Sequence, residues 1–186
     1  MSEFNLFQKI IAKCFLSDNP DLMVEDGKQQ TKVIHTGAGL TEYQLYRFDL
    51  KEKEFLPFFD ASDISPKNLR AFCDYVILAE VVSKLYIILV EMKSGGANHA
   101  PTQLIASEDF ARYVRSRAEH IASSNDEESF DKNNIIIKKV IVKPIPGQKV
   151  TTNPALGNGN VTRHQAYDDI IVVKANYIDV NQICRF

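Results

Sequence analysis

The chain has no tryptophan, only three methionines among 186 residues, and three widely spaced cysteines, Cys14, Cys73 and Cys184. No CxxC pair occurs, which argues against a cysteine zinc site. An odd number of thiols in apolar neighbourhoods predicts buried free cysteines in a reducing compartment. Neither charge sign dominates. The 22 Lys and Arg residues against 24 Asp and Glu leave a net charge of −2 and a pI near 6.1, so a basic footprint over the whole surface is absent. Apolar runs such as Leu85–Val90 fall far short of the ~20 residues of a membrane span. The opening MSEFNLFQKI lacks a basic leader and a long apolar stretch, so no signal peptide is expected and a cytoplasmic location is. The sequon at Asn160-Val161-Thr162 carries no weight in that setting.

What is present is an ordinary globular balance, 45% hydrophobic and 25% charged, without repeats. It excludes disordered, collagenous and coiled-coil chains. The length predicts one domain over residues 1–186, large enough to fold around its own core. Phe4, Phe7, Ile11 and Phe15 recur at helical spacing, predicting a helix over 4–16 that Asn19-Pro20 ends. Residues 20–40 read as polar and irregular, and Leu40–Leu50 as a strand. Ala71–Ala79 and Lys84–Met92 are rich in β-branched and aromatic residues, and their close spacing predicts a hairpin. Both are too apolar for a wet face, so they belong in the middle of a covered sheet. A helix from Pro101 to about Ile121 follows, then an acidic loop over Asn125–Asp131 and strands at Ile135–Val142 and Asp169–Ala175. Pro146–His164 reads as a long irregular connection, functional or mobile.

Three charged residues stand out against these apolar strands. Asp74 falls within the first strand of the hairpin; Glu91 and Lys93 close the second and share a face, because strand side chains alternate. Charges rarely enter such strands without partners. Two adjacent carboxylates repel, which raises a pKa or recruits a cation. Magnesium suits one or two carboxylates with waters retained, and a bound cation of this kind activates water and offsets charge on a phosphate. Lys93 is placed to orient the attacking water or neutralise the phosphate.

Cys73-Asp74 followed by Glu91-Met92-Lys93 resembles the PD-(D/E)xK nuclease superfamily: an acid on one strand, then Glu or Asp, any residue and Lys on the next. The resemblance covers about residues 4–142 and implies a restriction-endonuclease-like α/β fold. In that fold a mixed central sheet is flanked by helices around an αβββαβ core, and residues 143–186 form a C-terminal elaboration. It implies Asp74, Glu91 and the Met92 carbonyl as ligands of Mg2+, with Mn2+ as substitute, and Lys93 as a catalytic residue. Cys73 departs from the motif, which has Pro there. The acid-x-Lys pattern also occurs at Asp26-Gly27-Lys28 and Asp49-Leu50-Lys51, but only the third copy has apolar strands on both sides. A RecB-type branch adds Gln on the following helix and Tyr four residues later; Gln103 matches, and Ser107 stands where Tyr would be.

Further candidates for substrate contact are His99, just after Lys93, and Arg112 and Arg115, which with Arg117 and His120 crowd one helix, diluted by Glu108, Asp109 and Glu119. Arg163 and His164 close the long connection. Gly37 and Gly39 make half of a phosphate fingerprint, with Glu42 where a third Gly belongs, and read as a turn. His35, His99, His120 and His164 lack metal-ligand spacing.

The leading expectation is a metal-dependent nuclease acting on DNA, in defence, restriction, recombination or repair. It would work as a homodimer or with a partner that delivers substrate. The competing expectations are a non-catalytic nuclease-like scaffold subunit and a sugar- or nucleotide-binding α/β protein; metal-dependent cleavage separates the first from both.

Overall fold

A computed structural model describes residues 3–11, 13–25, 29–36, 38–48, 72–93, 99–124, 131–145 and 160–186. The copies of acid-x-Lys at 26–28 and 49–51, the glycine turn at 94–96, most of the acidic loop and residues 146–159 of the long connection lie outside these residues.

The fold is mixed α/β, with two mixed sheets and three helices among the described residues. Helix α1 (Glu3–Ile10) is followed by a single 3-10 turn (Lys13–Phe15). Strands β1 (Leu22–Glu25), β2 (Gln29–Ile34), β3 (Leu40–Arg47), β4 (Tyr75–Val81) and β5 (Lys84–Met92) come next. Helix α2 (Ala100–Ser124) precedes β6 (Ile135–Val142), β7 (Asn160–Arg163), β8 (Ile170–Lys174), β9 (Tyr177–Asp179) and α3 (Val180–Arg185). The main sheet has the order β3-β4-β5-β6-β8-β7, with β5, β6 and β8 parallel; the small sheet is β1-β2-β9.

Alternation sorts the main sheet into two apolar faces, as the hairpin composition predicted. Leu85, Ile87 and Leu89 pack with Val76, Leu78, Phe4, Phe7, Leu104 and Ala111 under α1 and α2. Tyr86, Ile88, Val90 and Met92 pack with Met23, Val33, Ile178 and Ile183 under the small sheet and α3. The small sheet is tied down by Tyr75, whose hydroxyl accepts from the Val24 amide (2.9 Å) and donates to the Val24 carbonyl (3.1 Å). The β4–β5 hairpin turns through Val82 (φ 49°) and Ser83 (φ 59°), both left-handed, and the Val82 amide donates to Gly39 O at 2.9 Å.

Several boundaries depart from the sequence reading. The first helix stops at Ile10 rather than continuing to 16, because the chain turns so that Phe15 stacks on Phe48, ring centroids 4.9 Å apart, and Leu16 bridges to Tyr46. Residues 20–40 are not wholly irregular: β1 and β2 lie there, paired with each other and with β9 from the far end of the chain. The long connection ends in a strand, since 160–163 pair with β8. Cys73 and Cys184 are buried free thiols, as expected; the Cys14 side chain lies outside the described residues. No helix among the described residues is long and apolar enough to cross a membrane.

Candidate active site

The site forms at the end of β4 and β5 where the ladder runs out. Tyr75 pairs with Val90, so Asp74 and Glu91 come opposite each other one step further on. Asp74 is not inside the strand; it stands one residue before it. The reason is local. Asp74 Oδ2 accepts from the Met92 amide at 2.7 Å, and the Cys73 amide donates to Ser107 Oγ at 2.7 Å, so side chains take over partners that a longer ladder would have supplied. Cys73 thus uses an amide hydrogen that a proline at this position would lack.

Glu91 is completely buried on the α2 side of the sheet. Lys93 Nζ lies 2.5 Å from its Oε1, yet neither Glu91 oxygen has a hydrogen-bond partner of good geometry among the described residues. Burial pushes the Glu91 carboxyl up to about 7, the charge of Asp74 adds to the rise, and Lys93 opposes it. Lys93 extends the β5–β6 ladder by donating its amide to Val142 O at 2.9 Å, while its side chain stays a quarter exposed at the mouth of the site. A sealed carboxylate, a second acid and an accessible ammonium therefore meet at one sheet end.

The donor set fits a hard divalent cation. Two carboxylates present oxygen only, and Glu91 keeps Oε2 without a hydrogen-bond partner of good geometry among the described residues, where a bound cation would complete it. No group of three or more His, Cys, Asp or Glu side chains converges among the described residues, so such an ion would complete its shell with water, backbone or substrate oxygens.

Helix α2 starts at the same sheet end. Gln103 Nε2 donates to Phe72 O at 3.3 Å, so Gln103 touches the segment leading into Asp74. Phe72 itself stacks with Phe48 (4.9 Å) and meets Phe110 edge-on (5.0 Å), an aromatic wall behind the acid. His99 stands one turn before Gln103, exposed, its carbonyl accepting the Gln103 amide. Arg112 and Arg115 lie ~13 and ~18 Å along the helix from Gln103, at 1.5 Å per residue. Arg112 pairs with Glu108, which also pairs with Lys139 of β6; Lys139 reaches Asp169 as well. Burial alone would raise the Glu108 carboxyl, but Lys139 and Arg112 outweigh it and hold it below the ordinary carboxylate value. This ionic network clamps α2 to the sheet and was not singled out from the sequence. Its signal was there: two lysines, Lys138 and Lys139, inside an otherwise apolar strand.

Arg163 and His164 are not brought to the acids. They lie on the edge strand and just past it, three strands from Glu91, about 14 Å at the usual spacing. Arg163 donates to Asp168 O and lies over the Phe186 ring at 5.3 Å; His164 Nδ1 accepts from the Ala166 amide at 3.2 Å. The connection does leave and rejoin the sheet at the end that bears the acids: Met92 lies level with Val142, where β6 ends, and Asn160 pairs with Lys174.

No family model matches the chain, and no curated protein or solved structure matches it significantly.

Proposed function

We propose that the protein is a divalent-metal-dependent nuclease that hydrolyses phosphodiester bonds in DNA, with the PD-(D/E)xK arrangement of residues. The observation that carries this reading is the fully buried Glu91, set opposite Asp74 and ion-paired on one oxygen with Lys93. A buried carboxylate in this state is costly unless a cation completes the site. The run α1, β3, β4, β5, α2, β6 also supports it: an αβββαβ sequence with β1 and β2 inserted after the first helix.

Asp74 and Glu91 would hold Mg2+, or Mn2+ in its place, with the Met92 carbonyl as a further ligand. When bound, the ion would acidify a water and neutralise charge on the phosphate. Asp74 contributes a carboxylate whose orientation is fixed by the Met92 amide. Glu91 contributes one whose burial excludes competing water. Lys93 presents its ammonium from the solvent side, where it orients the attacking water and stabilises charge that grows as the bond breaks. His99, just before α2, and Gln103, on its first turn, lie close to the same sheet end and are the nearest substrate contacts.

Wild type and Lys93→Ala should be compared on duplex DNA, single-stranded DNA and RNA with Mg2+, with Mn2+ and with EDTA. The expected result is cleavage by wild type that EDTA abolishes, slowed by about 10²–10³ in the variant. Equal rates for the two proteins, or no metal-dependent cleavage of any substrate, would overturn the proposal.

A further inference from the structure

Immediately before Asp74 the backbone has left the β4 ladder, and α2 holds it. Ser107 is completely buried in the middle of that helix. Its hydroxyl donates to Gln103 O at 2.8 Å, one turn back, and its lone pairs receive the Cys73 amide at 2.7 Å. A serine hydroxyl has one hydrogen and two lone pairs, so both roles are filled in one defined orientation. Gln103 Nε2 adds a second bond, to Phe72 O. Two consecutive backbone groups, Phe72 C=O and Cys73 N–H, are thus strapped to α2. The next residue is Asp74, which in turn fixes the Met92 amide on β5. The order of contacts is helix α2, Ser107, Cys73, Asp74, Met92, and it ends at Glu91's neighbour.

We infer that Ser107 is a positioning residue that sets Asp74 for cation binding, with Gln103 as the second point of the strap; its role in cation binding rests on the nuclease reading above. Ser107 touches neither metal nor substrate. Its effect passes through the Cys73 amide, which in its absence is a buried donor without an acceptor. The segment then moves to find another partner, and the Asp74 carboxylate moves with it. Residues that orient a metal ligand in this way typically cost 10–100-fold in metal affinity when removed.

The test uses the full chain, 15N-labelled, as wild type, Ser107→Ala and Ser107→Cys. The cysteine variant is nearly isosteric but a much weaker acceptor, and it decides the matter if the alanine variant fails to fold. Two quantities are read: Mn2+ affinity by calorimetry, and amide exchange of Met92 relative to Ile88 in the middle of the same strand. The expected result is an affinity lower by about 10-fold and a selective rise in Met92 exchange. A merely structural role would lower the melting temperature and raise exchange at both amides together, with Mn2+ affinity unchanged; that result overturns the inference. Should wild type bind no Mn2+, the nuclease reading fails, and the Met92-to-Ile88 ratio alone decides whether Ser107 positions Asp74.

Discussion

Asp74 and Glu91 face each other across the end of the β4–β5 ladder but are held by opposite means. One Asp74 oxygen accepts the Met92 amide, whereas the Glu91 oxygens accept no hydrogen bond of good geometry among the described residues. One acid is oriented by the backbone and the other by an ion pair with the Lys93 ammonium. The Asp74 charge also helps lift Glu91.

That lift has a consequence for stability without metal. Glu91 goes from an ordinary 4.5 to about 7 in the folded protein, so the folded state holds its proton longer than the unfolded state does. The stabilising effect is complete below about 4.5 and is lost as pH rises through 7, a change on the order of 3 kcal/mol. In EDTA, wild type should melt at progressively lower temperature between pH 4.5 and 7, and Glu91→Gln should flatten that slope. Melting curves across this range check it; parallel slopes would contradict it.

The hairpin turn far from the site is expected to be improvable. Val82 is β-branched, largely exposed and left-handed, and Ser83 follows it with the same sign of φ. Asn-Gly suits both positions far better. Replacing Val82-Ser83 by Asn-Gly should stabilise the protein by about 1 kcal/mol in urea unfolding, by relief of the left-handed strain.

Asn176 should matter more than its loop position implies. Its side-chain amide bonds both the N–H and the C=O of Ile145, where the chain leaves the sheet end that bears the acids. Asn176→Ala strands both groups and should cost about 1–3 kcal/mol, read by the same urea titration. Asn176→Asp should rescue only the amide half.

Lys139 is mostly buried between Glu108 and Asp169, but Glu108 keeps Arg112 and Asp169 is exposed to water. Lys139→Met removes one partner and leaves the half-buried Glu108 with Arg112 alone, so it should cost more than Asp169→Ala, whose carboxylate is exposed to water. Chemical denaturation at low and high salt checks this, and the salt dependence should shrink in the Lys139 variant.

The convergence of Asp74, Glu91 and Lys93 was legible because acids and a lysine interrupt strands that are otherwise apolar, and period-two alternation puts Glu91 and Lys93 together. The central hairpin, the long helix and β6 were legible for the same reason: their patterns are long. The small sheet was not. β1 has four residues and β9 three, and β2 buries only Thr31 and Val33, too few positions for alternation to register. They exist because β9, some 140 residues downstream, completes them, and no local pattern encodes that pairing. β7 is an edge strand with a single packed apolar residue, Val161. Ser107 attracted notice only for the Tyr it displaces; its bond to the Cys73 amide depends on where α2 docks.

The contact between Tyr75 and Val24 also bears on the exposed edge of the small sheet. Val24 turns both its backbone groups away from β2, along the outer edge of the small sheet, where a strand from a second molecule would begin to pair. The Tyr75 hydroxyl occupies both. A phenol from the main sheet thus closes an open edge that would otherwise template growth from chain to chain. Removing that one oxygen, as in Tyr75→Phe, would take the shared partner from both Val24 backbone groups while leaving the ring in place beside Asp74.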